Sequence, residues 1–178
     1  MTDADPQRIA VTGTPGTGKT TATEQLVDRG LEVPVIHLND EIKAHELWSS
    51  RDTERESLIT DFEAVESHLG EWEGILESHL AHHFDADRIV VLRCDPAVLE
   101  TRLTERGESP TKARENAESE ALDVVLSEAV ETHGQPSVYE IDTTDCSPDE
   151  VAAEIEAVLT DQRSPSAGEV DFTEYLVG

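Results

Sequence analysis

The residues best equipped for chemistry are gathered first in Gly13-Thr14-Pro15-Gly16-Thr17-Gly18-Lys19-Thr20-Thr21, which fits the pattern G-x-x-x-x-G-K-[ST]. Glycines at 13, 16 and 18 free the backbone so that successive N–H groups point inward at a phosphate. Lys19 brings a point charge to the β and γ oxygens of a nucleoside triphosphate, and the Thr20 hydroxyl is a ligand suited to Mg²⁺. The flanks support the loop. Ile9-Ala10-Val11 reads as a buried strand entering it, and a helix from Thr20 to Arg29, stopped by Gly30, leaves it. The partial positive charge of that helix N-terminus falls where the phosphates would lie. The spacing predicts a nucleotide-binding loop.

Two further stretches carry groups of the right kind. Glu77-Ser78-His79 follows a short apolar run, and Arg102 and Arg106 stand one helical turn apart just before Gly107. Phosphoryl transfer asks the protein for positioning and charge neutralisation more than for covalent work, so arginines beside a glycine hinge suit it. Ordinary ion pairs within the helix, such as Arg102 with Glu100 or Glu105, are the alternative reading. His79, His82 and His83 suggest metal ligation, but no cysteine or matched histidine pair completes a tetrahedron, and no metal site is read there. Cys94 and Cys146 make neither a ligand pattern nor a disulfide framework; Cys94 reads as a small buried residue.

These groups must be held by a scaffold, and the rest of the chain reads as one. Strands are predicted at 33–36, 74–77, 89–92 and 138–141. Helices are predicted after a cap at Asn39 or Asp40, from Asp61 through Phe62, Val65, Leu69 and Trp72, after Asp95-Pro96, from about Lys112 to Thr132, and after the capping box Ser147-Pro148-Asp149-Glu150. Residues 49–56 read as a polar loop. Alternating strands and helices predict an α/β fold, a five-stranded parallel sheet with helices on both faces and ligands beyond the carboxyl ends of the strands. The domain is expected over 1–163, with a tail at 164–178. The terminal patch Val170, Phe172, Tyr175 and Leu176 is left open between docking, partner binding and mobility.

The 178 residues carry 40 acidic and 13 basic side chains, a formal net charge of −27, with acids spread along the whole chain. That balance argues against DNA or an anionic membrane as partner and is expected of a protein in a high-salt cytosol. No apolar run is long enough to span a membrane and no leader is read at the N-terminus, so a cytoplasmic location is expected. Aromatics are only 4% of the chain, so the core is expected to be aliphatic.

Four stretches together resemble the adenylate kinase isoenzyme six family: residues 13–21, Glu77-Ser78-His79, Leu92-Arg93-Cys94-Asp95-Pro96 with the run from Arg102 to Gly107, and the run from Arg114 to Leu122. The likeness covers roughly residues 8 to 160. It implies a P-loop NTPase of the nucleoside monophosphate kinase type, transferring the ATP γ-phosphate to a nucleoside monophosphate with Mg²⁺, and hydrolysing ATP besides. It also implies a role in late small-subunit maturation through a platform ribosomal protein and pre-ribosomal RNA. By position, Gly16, Gly18, Lys19, Thr20, Thr21 and Arg106 would hold ATP, with Lys19, Glu77, His79 and Arg106 catalytic. Thr20 and Glu77 would serve the metal, the latter through water. The monophosphate region would span about 39–57, using Lys43 and Arg51, and a lid about 105–115. Two departures are visible: Glu77 stands where the family commonly has aspartate, and Lys43 where an arginine is common. His79 is left open between holding the loop and acting on a water. An assembly ATPase with incidental kinase activity, or a small-molecule kinase of the same fold, are the competing readings.

Overall fold

The computed structural model describes residues 7–52 and 57–177, with backbone alone at 51, 52, 57 and 58. Strands β1 (Arg8–Gly13), β2 (Val35–His37), β5 (Gly74–Glu77), β6 (Arg88–Arg93) and β7 (Val138–Asp142) form a parallel sheet in the order β2-β5-β1-β6-β7. Side chains alternate across a strand, so β1 sends Ile9 and Val11 to one face and Ala10 to the other. On the first face they meet Leu26 of α1 (Lys19–Asp28) and Ile155 and Val158 of α7 (Pro148–Leu159). On the second they meet Leu38 and Ile42 of α2 (Leu38–Ala44), Val65 of α3 (Phe62–Leu69), and Leu126 and Ala129 of α6 (Val124–His133). A sheet buried on both faces needs continuous apolar runs, which is why 89–92 is legible as a strand.

A third, smaller core joins α4 (Pro96–Glu105) to α5 (Pro110–Ala121), where Leu99, Leu103, Cys94 and Ala113 are buried together. The expected lid segment 105–115 is therefore the end of α4, a turn, and the start of α5. The N-caps foreseen at Asp95 and Ser147 are realised, whereas the helix foreseen after a cap at Asn39 or Asp40 begins earlier, at Leu38 with His37 at its cap. Asp95 and Ser109 accept from the first-turn N–H groups of α4 and α5, and Ser147 with Glu150 completes the capping box of α7.

Three expectations are corrected. The helix foreseen from 112 to 132 is two helices, because Asp123 adopts a left-handed conformation (φ 56°) between α5 and α6. Its carboxylate is drawn to Arg93, 2.5 Å away, and that contact outweighs the local strain. The helix foreseen to reach Trp72 ends at Leu69, since Gly70 (φ 55°) turns the chain. Of the stretch 49–56, foreseen as loop, residues 49–52 lie in β3 (Trp48–Asp52), which pairs antiparallel with β4 (Ser57–Thr60), a pairing no single segment reveals, and 53–56 lie outside the described residues. Arg55, within the foreseen loop, is outside the described residues, as are residues 1–6 and 178.

Arg93, at the carboxyl end of β6 and wholly buried, ties these elements together. Its guanidinium donates to Glu120 Oε1 (3.0 Å), the Glu120 carbonyl (3.0 Å), Glu140 Oε2 (2.6 Å) and Asp123. Burial raises the Glu120 carboxyl above its usual range, opposed by Arg93 and by the Cys94 N–H. The tail docks on the same cluster. Phe172 lies against the Arg93 guanidinium (5.4 Å), the N–H of Glu169 reaches Glu140 Oε1 (2.9 Å), and the Tyr175 hydroxyl donates to Glu100 (2.7 Å). The last four-residue helix is α8 (Glu174–Val177). Removing one partner of a buried ionic cluster strands the others. Arg93→Leu is expected to cost about 3–5 kcal/mol in a denaturant titration, whereas Tyr175→Phe, which removes only the part-buried bond of the tail to Glu100, is expected to cost about 1 kcal/mol or less.

Candidate functional site

β1 ends at Gly13 and α1 begins at Lys19, so residues 14–18 form the connecting loop at the carboxyl edge of the sheet. Thr17 closes the turn, its N–H and hydroxyl both reaching the Thr14 carbonyl (3.2 and 2.8 Å). Gly16 has φ 92° and lies so close to α4 that a Cβ would sit 2.8 Å from Leu99 and 2.9 Å from Leu103. Glycine is therefore required there both by conformation and by packing. That contact fixes the loop against the helix that carries Arg102 and Arg106.

Around the loop opens a cleft of about 690 Å³, lined by residues 15–22 together with Asn39, Glu77, His79, Arg102, Glu105, Arg106 and, at the far end, Thr143, Cys146, Pro148 and Val151. Among the described residues, its lysine and arginine side chains are Lys19, Arg102 and Arg106. Among the described residues the ion pairs of the α4–α5 segment are Lys112–Glu108 and Arg114–Glu118, and Arg102 joins neither Glu100 nor Glu105. The alternative of intrahelical pairing is thus not realised.

Lys19 is buried and donates through Nζ to the carbonyls of Gly13 (3.0 Å) and Thr14 (3.1 Å). Burial lowers its ammonium to about 8, Glu77 opposes that fall, and Arg106 adds to it. Glu77, at the end of β5 and 5% exposed, is held on both oxygens: Thr20 donates to Oε1 (3.3 Å) and His37 Nδ1 meets Oε2 (2.8 Å). Two hard oxygen donors side by side, the Thr20 hydroxyl and the Glu77 carboxylate, fit a magnesium ion. His79 lies along the cleft and is held neutral. Burial lowers its pKa to about 4, and the charge of Lys19 acts the same way.

The cleft thus brings together Gly16, Gly18, Lys19, Thr20, Thr21, Glu77, His79 and Arg106. Among the described residues it does not include Lys43, which is exposed on α2; Arg51 has its backbone in β3, and its side chain lies outside what is described. Several supporting residues escape a sequence reading. His37 clamps Glu77, and Asn39, foreseen only as a helix cap, accepts from Ser78 Oγ (2.8 Å). Thr143, just past β7, donates to the carbonyls of Thr17 (3.1 Å) and Arg93 (2.8 Å), bracing the loop from behind. Glu120 reaches the loop through Thr14 Oγ1 (3.3 Å). The available signal was position: His37 and Thr143 stand at the carboxyl ends of predicted strands, where such folds keep their sites.

A five-stranded parallel sheet with this loop after its central strand is the P-loop NTPase fold of small kinases. Solved structures agree: a shikimate kinase from Bacteroides thetaiotaomicron superimposes with a TM-score of 0.57 at 19% identity, over 88% of this chain and 99% of that one. One from Aquifex aeolicus gives 0.52 at 17%, over 86% and 96%. A family model described as an AAA domain matches residues 9–123. Proteins named "Putative adenylate kinase" match across nearly their full length: 62% identity over 170 residues in Natronomonas pharaonis, covering 95% of this chain and 99% of that protein. In Methanocaldococcus jannaschii the match is 39% over 172 residues, covering 94% and 93%. The chain belongs to this archaeal adenylate kinase family.

The two cysteines offer a direct check on the cleft. Cys94 is fully buried and burial pushes its thiol up to about 11, so its thiolate is scarce at any pH below that. Cys146 lines the cleft and is partly exposed. A disulfide reagent at pH 8 is expected to modify one thiol per folded chain, and Cys146→Ser is expected to abolish the reaction.

Proposed function

We propose that the protein is a nucleoside monophosphate kinase that transfers the γ-phosphate of ATP to AMP or a related monophosphate, and that it also hydrolyses ATP. The observation carrying this reading is the convergence of Lys19, Thr20, Glu77, His79 and Arg106 on one cleft around the phosphate loop. The names of the relatives add the nucleotide as acceptor class.

In this reading the loop N–H groups and the N-terminus of α1 cradle the ATP phosphates. Lys19 exchanges its two loop carbonyls for β and γ oxygens, and Arg106, with Arg102 beside it, neutralises the charge that builds on the transferred group. Thr20 and Glu77 would hold Mg²⁺, which supplies charge neutralisation between the β- and γ-phosphates when bound. His37 keeps Glu77 facing Thr20. His79, neutral at physiological pH, is able to accept a hydrogen bond from an attacking hydroxyl or water. Lys43 and Arg51, in the 39–57 region, would attend the monophosphate after that region approaches the cleft. Glu105 to Glu115 would act as the lid, residues 1–163 as the kinase domain and 164–178 as its docked tail.

A second reading is an ATPase that serves small ribosomal subunit maturation, with a platform ribosomal protein and pre-ribosomal RNA as partners. One observation favours it: among the described residues the lysine and arginines of the cleft lie at the start of α1 and at the end of α4, and Lys43 faces solvent outside it. A small-molecule kinase of the same fold is the remaining alternative. In every case a cytosolic, high-salt setting accounts for the charge of −27.

The deciding assay is ADP formation from ATP and Mg²⁺ in molar KCl, with and without AMP. The kinase reading expects AMP to be consumed and to raise the rate many-fold. Hydrolysis indifferent to AMP but accelerated by the ribosomal protein would replace it with the second reading. Lys19→Ala is expected to lower either activity by about 10²–10³-fold, and Arg106→Ala by a similar factor with folding unchanged. Undiminished turnover in Lys19→Ala would place the chemistry elsewhere.

A further inference from the structure

On the face of the sheet covered by α6, outside the cleft lining, two imidazoles aim at one carboxylate. His82 and His83 lie in the 3₁₀ turn Ala81–His83, and Glu128 lies on α6. Glu128 Oε2 stands 2.7 Å from His82 Nε2 and 3.3 Å from His83 Nε2. All three donor atoms fall within 4.8 Å of one another. We propose that His82, His83 and Glu128 form a transition-metal site, able to take Zn²⁺, that pins the turn after β5 to α6.

The donor chemistry fits. Two imidazole nitrogens and one carboxylate oxygen are a common zinc set, with water completing a tetrahedron. At metal–ligand distances of about 2.0–2.1 Å, donor atoms in a tetrahedron are about 3.4 Å apart. The His83 to Glu128 separation is already near that value, and His82 to Glu128 must open by about 0.7 Å to make room for an ion. The nitrogen that would bind is selected by the surroundings. His82 Nδ1 is engaged by Thr12 Oγ1 at 2.7 Å, which leaves Nε2 to face Glu128. A hydroxyl serves either tautomer, accepting from Nδ1–H when Nε2 is metallated, and such outer partners orient ligating histidines.

Access and rigidity are both present. His82 is buried at 1% exposure, while His83 and Glu128 are partly open to solvent, giving an entry path. The turn is braced further by the His133 Nε2 contact with the His82 carbonyl (2.8 Å) and by Phe62 edge-on to His83. Such a turn moves little on metal binding. Because it directly follows Glu77-Ser78-His79, an ion here would stiffen the backbone from which Glu77 and His79 project. The ion would itself be structural, outside the cleft.

A second cluster sets the control. Glu41, His45 and His68 also converge, with His45 and His68 Nε2 lying 3.3 and 2.8 Å from Glu41 Oε2, but more exposed and with no partner on the outer ring nitrogens among the described residues. The test uses the full chain stripped with EDTA, titrated with Zn²⁺ in competition with a chromophoric chelator, and with Co²⁺ to read tetrahedral geometry from its visible absorption. One equivalent of Zn²⁺ is expected, accompanied by a rise in Tm. His83→Ala and Glu128→Gln should each weaken binding at least about tenfold and remove the rise in Tm, while His45→Ala and His68→Ala leave both intact. Glu128→Gln, at a partly exposed position, decides the matter if His83→Ala fails to fold. Absence of stoichiometric binding overturns the proposal. So does binding that survives Glu128→Gln, or that is lost in His68→Ala.

Discussion

The structure depends on one buried arginine. Arg93 sits fully inside the protein with Glu120, Glu140 and Asp123 about its guanidinium, so the strands, two helices and the tail meet at a single planar cation. A guanidinium suits this place because its donors fan out in a plane and its charge persists at any pH the protein meets. Burial by itself would lower its pKa, and the carboxylates more than reverse that. Each contact settles something nearby. Asp123 breaks what would be one long helix, Glu120 reaches Thr14 in the phosphate loop, and Glu140 receives the tail backbone. The phosphate loop, through Glu120, and the tail, through Glu140, thus each lie two bonds from the same side chain.

The cleft works on the opposite principle. In a chain of net charge −27, positive potential has to be concentrated to attract a polyphosphate. The fold does this by placing Lys19 and two arginines of α4 around the N-terminus of α1, with Gly16 letting loop and helix touch. Burial leaves Lys19 less willing to hold its proton, while Glu77 supports the charge. Glu77 is in turn fixed by Thr20 and His37, which keep its longer side chain beside the loop.

Much of this was legible in the residues. Loop, strands and caps are local features: a glycine pattern, an apolar run or a Ser-Pro-Asp-Glu box states its conformation within a few positions. The convergence of 13–21, Glu77, His79 and Arg106 followed from placing each at the carboxyl end of a strand or on the helix beside it. What failed were features set by distant partners. The α5–α6 break looks like continuous helix until Arg93 claims Asp123, and β3 and β4 are each too short to declare a strand before they pair. Thr143 and His37 are ordinary residues until the sheet brings them against Thr17 and Glu77.

The sequence by itself therefore determined the class of fold, the phosphate loop and the chemistry the loop serves, because those rest on short-range backbone preference and on hydrophobic periodicity. Only the tertiary structure decided where the tail lies, what holds Glu77, and which carboxylate meets His82 and His83, since Glu128 comes from a helix 45 or more residues further along. Such pairings are made by packing α6 against the turn after β5. No local preference encodes them.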